Sequence, residues 1–280
     1  MNRSDFLMSA GALTVAPAMI GDEFAAIERT TGGRLGVAAL DVRSGRTLAY
    51  RAADRFPLAS TFKLPLAIAT YSRIDRRREH ADRRVTIAAS EMIPHSAVYP
   101  PNGRGVTLTI AQLCEAAMTS SDNTAANALL RALGGPRRLT AFVASTGVAP
   151  FRVDRMEPIL NEARPHDRRD TSTPAAMVDL VRRLLAGTLL RPSSTATIVG
   201  WMRANTTGGA RIRAGLPAGW TAGDKTGTSE HGSNDVGFFA RAGSAAPIVL
   251  AVYSTDCTAS GDVQNAAIAS AARLVAARLV

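Results

Sequence analysis

Lysine is almost missing from this chain: its 280 residues include two, Lys63 and Lys225, against 31 arginines. Arginine stays protonated at any physiological pH, whereas a buried lysine amine gives up its proton readily. The two amines are thus set apart for proton transfer, and both stand beside hydroxyls, in Ser60-Thr61-Phe62-Lys63 and Lys225-Thr226-Gly227. Cysteine is as scarce, with only Cys114 and Cys257. No CxxC pair occurs, and four scattered histidines form no set with metal-ligand spacing, so neither a metal nor another cofactor is expected. Cys114 sits in an apolar helical run, Ile110 to Met118, that suits a buried free thiol. Two cysteines allow at most one disulfide, and two unpaired structural thiols are expected instead. Aromatic residues make up 5% of the chain and do not interleave with its arginines. The net charge of +10 therefore reads as a solvated arginine surface rather than a nucleic-acid interface.

Long apolar runs are also absent after the first twenty residues. Arg3 followed by a mostly apolar Phe6 to Ile20, with Ala16-Pro17-Ala18 as a cleavage site, reads as a signal peptide over residues 1–18. The stretch is short for a membrane span, which takes about 20 apolar residues. An exported protein, periplasmic or secreted, with no membrane segment in its mature form is the expectation.

The hydrophobic fraction of 46% is enough for a sizeable core. A helix is expected from Asp22 to Thr30, then strands over 34–43 and 47–51 joined by the Ser44-Gly45 turn. Helical periodicity dominates 61–75, 110–120, 122–133, 136–145, 174–187 and 193–204. Strands return at 219–225, 236–241 and 248–254, and a last amphipathic helix starts near Gly261. This order implies an α+β fold, an antiparallel sheet flanked by the N- and C-terminal helices, with an inserted all-helical domain. The expected division is 19–58 with 206–280 for the α/β domain, and 59–205 for the helical one. Residues 153–171 show no sustained period. A loop this long in a compact domain is usually functional, and an Arg155–Asp170 ion pair would close it as an Ω-type loop.

Alone, S-x-x-K is a weak motif. Here it opens a helix, which puts the Ser60 hydroxyl near unpaired backbone N–H groups and Lys63 on the same face. Ser121-Asp122-Asn123 falls between two helical patterns, where any of the three would serve as an N-cap. Lys225-Thr226-Gly227 ends an apparent strand, and Gly227 would let a ligand approach the backbone.

In this order the three motifs resemble those of the penicillin-recognising serine enzymes, the class A β-lactamases in particular. The likeness extends to Arg155-Met-Glu-Pro-Ile-Leu-Asn-Glu-Ala-Arg-Pro-His-Asp-Arg-Arg-Asp-Thr171, the family's Ω-loop almost throughout. It also covers Ser121 to Asn127 and Gly215 to Trp220, and in all about residues 22–280. The resemblance implies that Ser60 attacks a β-lactam carbonyl, that Lys63 and Ser121 relay protons, and that Glu157 with Asn161 positions the water that frees the acyl-enzyme. It implies further that Asn123 binds the substrate's side-chain amide, that Lys225, Thr226 and Gly227 face its carboxylate, and that the Ser60 and Thr228 N–H groups form the oxyanion hole. A cis Glu157-Pro158 bond belongs to the same pattern.

Some positions depart from the best-known members. Asn234 stands where many have an arginine, and Arg211 matches the place from which others supply it. His95 is expected at the mouth of the site, beside an altered loop at Tyr99-Pro-Pro-Asn102. The usual partner of Cys114 falls near Ala67, and Ala59 with Ser229 excludes the disulfide beside the active site of some carbapenem-hydrolysing members. A monomer acting on small β-lactams, with broad scope, is what the resemblance implies. The alternatives, a DD-peptidase and a non-catalytic β-lactam sensor, share Ser60, Lys63, Ser121 and Lys225 but have no use for Glu157 and Asn161.

Overall fold

The computed structural model describes residues 17–98, 103–244 and 246–280. The expected signal peptide, apart from its last two residues, and the Tyr99–Asn102 segment lie outside them. Helix α1 (Pro17–Thr31) begins five residues before the expected start and leads into strand β1 (Arg34–Asp41) and its hairpin partner β2 (Thr47–Tyr50). The short β3 (Phe56–Pro57) precedes a 3₁₀ turn over Ala59–Phe62, which runs directly into α2 (Lys63–Asp75). Next come β4 (Arg84–Ile87), β5 (Val106–Thr109), α3 (Ile110–Thr119), α4 (Asn123–Leu133) and α5 (Pro136–Ser145). Strands β6 (Phe151–Arg152) and β7 (Thr171–Ser172) bracket the long loop, followed by α6 (Pro174–Leu185) and α7 (Pro192–Arg203). The chain closes with β8 (Trp220–Ser229), β9 (Gly232–Arg241), β10 (Ile248–Thr255) and α8 (Gly261–Leu279).

The α+β expectation holds. Five strands form one antiparallel sheet in the order β2-β1-β10-β9-β8, so the two ends of the chain meet at the β1–β10 pair. Burial on both faces explains the composition of β10, whose eight residues are all buried. Successive strand side chains point to opposite faces. Val249, Ala251 and Tyr253 accordingly join the core under the helices, while Ile248, Leu250 and Val252 join the core under α1 and α8. Helix α8 meets that second core with Ile268, Ala271, Ala272, Val275, Ala276 and Leu279, the spacing of one helical face.

Two differences from the sequence reading bear on the site. Strand β8 does not end at Lys225 but runs through Lys-Thr-Gly to Ser229, and β9 starts at Gly232, leaving Glu230 and His231 as a two-residue turn. Ten successive residues from Thr226 to Asp235 are small or polar, which in sequence imitates a loop. The stretch between 59 and 205 is not purely helical either, since β4 pairs with β5 and β7 with both β3 and β6. These strands are two to four residues long, too short for alternation to mark.

Among the described residues no helix is long and apolar enough to cross a membrane. Cys114 and Cys257 are free and buried, as expected, and burial pushes the Cys114 thiol up, out of the range in which a thiolate forms readily.

Candidate active site

Ser60 lies in the 3₁₀ turn rather than in the first turn of the α-helix, one step earlier than the helical reading placed it. Pro65 is then the third residue of α2, where no intrahelical N–H is required of it. The turn is held against the sheet from two sides. Asn234 Nδ2 donates to Pro57 O and Leu58 O at 2.8 and 3.2 Å. Gly227 packs so tightly on the turn that a Cβ there would meet Leu58 O at 2.8 Å and the Ala59 Cβ at 3.2 Å. The glycine of Lys-Thr-Gly thus makes room for the turn that carries Ser60, a reason nearer to hand than the ligand approach read from the sequence.

Lys63 is fully buried, and its Nζ is ringed by oxygens. It stands 2.8 Å from Ser60 Oγ, 2.7 Å from Ser121 O, 2.6 Å from Asn123 Oδ1, 3.4 Å from Ser121 Oγ and 3.2 Å from Glu157 Oε1. Burial pulls the Lys63 pKa down, opposed by the charge of Glu157. Lys225, also fully buried, donates to Ser121 Oγ at 3.0 Å and to Thr226 O at 2.9 Å. Its pKa lies well below the ordinary lysine value, through burial first and the charge of Lys63 second. The Ser121 hydroxyl therefore bridges the two amines.

The tripeptide at 121–123 divides its work. Asp122 is the N-cap of α4, accepting from Ala125 N at 2.7 Å. Ser121, at φ 60°, and Asn123 turn inwards to Lys63. Asn123 Nδ2 donates one of its two hydrogens to Pro94 O at 3.1 Å.

Glu157 is buried beside Lys63, and Asn161 Nδ2 donates to its Oε2 at 2.5 Å. Asn161 Oδ1 is buried with no hydrogen-bond partner among the described residues. The peptide bond between Glu157 and Pro158 is cis, as expected. Asn127 on α4 clamps the Glu157 backbone twice, donating to its O at 2.9 Å and accepting from its N at 3.0 Å. The predicted Arg155–Asp170 pair closes the loop, Nε to Oδ2 at 2.5 Å, while Asp170 Oδ1 also accepts from the N–H groups of Asp154 and Arg155. Within the loop only a single 3₁₀ turn, Ile159–Glu162, is regular.

Ser60, Ser121 and Asn161 border a cleft of about 500 Å³ whose rim includes His95, Thr226, Gly227, Thr228 and Arg211. Buried Arg211 reaches the corner assigned to it. Its Nη1 donates to Gly227 O at 2.8 Å and Asn234 O at 2.7 Å, its Nη2 to Thr228 Oγ1 at 2.7 Å, and its Nε to Asn265 Oδ1 at 2.8 Å. His95, at φ 59°, accepts from Asn123 N through its carbonyl. Three supports went unread in the sequence: Asn127, Asn265, and Thr207, whose hydroxyl shares a 2.5 Å hydrogen bond with that of Thr226. Asn127 alone had a signal, its place four residues after Asn123 on the buried face of α4.

The Ser60 hydroxyl beside a buried amine, with a second serine, a carboxylate and a carboxamide around that amine, supports acyl transfer followed by hydrolysis. The model of the β-lactamase enzyme family matches residues 19–279. The chain belongs to the class A β-lactamases. It is 44% identical to β-lactamase AST-1 of Nocardia asteroides over 92% of its length and 83% of that enzyme. It is 39% identical to β-lactamase CTX-M-8 of Citrobacter amalonaticus, covering 91% of this chain and 88% of that one. Among solved structures, the ancestral class A β-lactamase of Gram-negative bacteria aligns with a TM-score of 0.88 at 49% identity, over 92% of this chain and 99% of that one. In this class A β-lactamase Arg211, from outside the strand, fills the corner beside Thr228, while Asn234 points away to Leu58.

Proposed function

We infer that this class A β-lactamase hydrolyses the β-lactam ring of penicillins and cephalosporins, and thereby confers resistance to them, by the following route. The observation that carries it is the 2.8 Å approach of buried Lys63 Nζ to Ser60 Oγ, with Glu157 at 3.2 Å from the same amine. Depressed by burial, the Lys63 amine can accept a proton, directly or by way of Glu157, as Ser60 Oγ attacks the lactam carbonyl. Backbone N–H groups of Ser60 and Thr228 receive the oxyanion. One such donor is worth about 10²–10³ in rate. As the C–N bond breaks, Ser121 Oγ gives its proton to the departing nitrogen and is resupplied from Lys63 or Lys225, which lie on either side of it.

Lys225, Thr226, Gly227, Thr228 and Arg211 hold the substrate carboxylate, Asn123 takes the side-chain amide, and His95 lines the entrance. Water held between Glu157 and Asn161 Oδ1 then attacks the ester, with Glu157 as general base, an effect worth about 10²–10⁴. That pairing of a carboxylate with a carboxamide favours turnover over the peptidase and sensor readings. The resemblance to the family supports a monomer. The apolar start at 1–18 supports export to the periplasm or beyond, and the two-part division into 19–58 with 206–280 and 59–205 sets the cleft at their junction.

The test is the Ser60→Ala variant incubated with benzylpenicillin and weighed intact. The wild type is expected to hydrolyse the penicillin, and the variant to show neither turnover nor a covalent adduct; stoichiometric labelling of the variant would remove Ser60 as nucleophile.

A further inference from the structure

A second cavity, of about 480 Å³, lies against the Ω-loop and shares no lining residue with the catalytic cleft. Four arginines line it: Arg34, Arg55, Arg164 and Arg168. Two of them are engaged elsewhere. Arg34 covers the Phe56 ring and reaches Asp54 only at 3.9 Å, and Arg164 pairs with Glu162 at 3.2 Å. Arg55 and Arg168 have no carboxylate within ion-pair distance among the described residues, although Asp54, Asp167 and Asp256 share the wall. Asp167 is committed to Arg169, at 2.7 Å.

Arg55 is half-buried, and among the described residues its guanidinium makes one hydrogen bond, from Nη1 to Thr171 Oγ1 at 3.0 Å. The same hydroxyl donates to Arg168 O at 2.7 Å, which ties the Arg55 guanidinium to the backbone of the loop. Burial first, and the Arg168 charge second, press the Arg55 pKa downwards. Arginine does not answer such pressure by losing its proton. The strain is relieved by an anion, and a pair of guanidinium forks fits a tetrahedral oxyanion better than a halide.

We propose that this cavity binds a dianionic phosphate group, clamped between Arg55 and Arg168. A volume in the range of small-molecule sites leaves room for an organic substituent, so a phosphate monoester is the ligand class. Because Arg168 belongs to the loop that carries Glu157, occupancy also slows opening of that loop.

Titration calorimetry and thermal denaturation with inorganic phosphate and with glycerol 3-phosphate, at ionic strength held constant with sodium chloride, test the proposal. Saturable binding of phosphate beyond the chloride control is expected, at least tenfold weaker in Arg168→Ala and in Arg55→Ala, and unchanged in Arg137→Ala on the exposed surface of α5. Amide exchange over 163–170 should slow with phosphate in the wild type alone. Tighter binding of the ester assigns an organic ligand, and equal binding assigns the free ion. Phosphate effects no larger than those of chloride, or equal losses in all three variants, would mean general attraction to a +10 protein and overturn the proposal.

Discussion

The scarcity of lysine was the residue-scale clue, and both amines are buried at one serine. Ser60, Lys63 and Lys225 stood out through the two lysines and the hydroxyls beside them, while Ser121 and Glu157 were legible only through the resemblance of their motifs to the family's. Asn265 and Thr207 were not, since an asparagine or threonine that supports a neighbour looks like any other until the chain is folded. Arg211 carries the residue-scale prediction. Replacing it by serine removes the Nη2 donor beside Thr228 and the Nη1 donor to Gly227 O and Asn234 O. A hydrogen bond to a charged group is worth about 1.5–3 kcal/mol. Steady-state kinetics should show kcat/KM for cephalosporins falling about 10-fold or more, mostly through KM. An unchanged KM would take Arg211 out of the substrate's carboxylate corner.

Among the elements, the Ω-loop depends most on charge. Arg155 reaches Asp170 and also Glu162, at 2.9 Å. Breaking a buried pair by removing one partner costs about 3–5 kcal/mol. Asp170→Asn should therefore speed amide exchange over 155–170 and slow deacylation, while exchange in β10 changes far less; equal exchange in the loop would deny the pair its role. Acid should act in the same direction. Hydrogen bonds from Arg169 hold the Asp167 pKa down to about 2. A carboxylate depressed in the folded state contributes fully above its ordinary value, near pH 4, and loses that contribution as the pH falls towards 2. Exchange in the loop should accelerate over that window before the sheet responds. The loop's closure was readable from two opposite charges at its ends. Strand β8 reads short in the sequence because Thr226, Gly227, Thr228 and Ser229 are small or polar and lack the alternation that marks a strand.

For the whole molecule, one sheet separates two cores, and the site belongs to only one of its faces. That division was legible in the chain order of strands and helices, whereas the short β3–β7–β6 sheet depends on contacts distant in sequence. Leu250 points into the core under α1 and α8. Leu250→Ala should cost about 2–5 kcal/mol in denaturant unfolding, yet leave kcat/KM unchanged at temperatures where the variant is folded. A matching loss of activity in the folded variant would mean that the far core shapes the cleft.

The central claim is that Glu157 and Asn161 turn an acylated serine over. Its most direct test is a chromogenic cephalosporin mixed with the wild type and with Glu157→Ala, with intact mass recorded alongside absorbance. Rapid hydrolysis by the wild type with little adduct is the expected result, together with a variant that acylates once and holds the product on Ser60. A variant that turns over at the wild-type rate, or a wild type that stays acylated, would contradict the account.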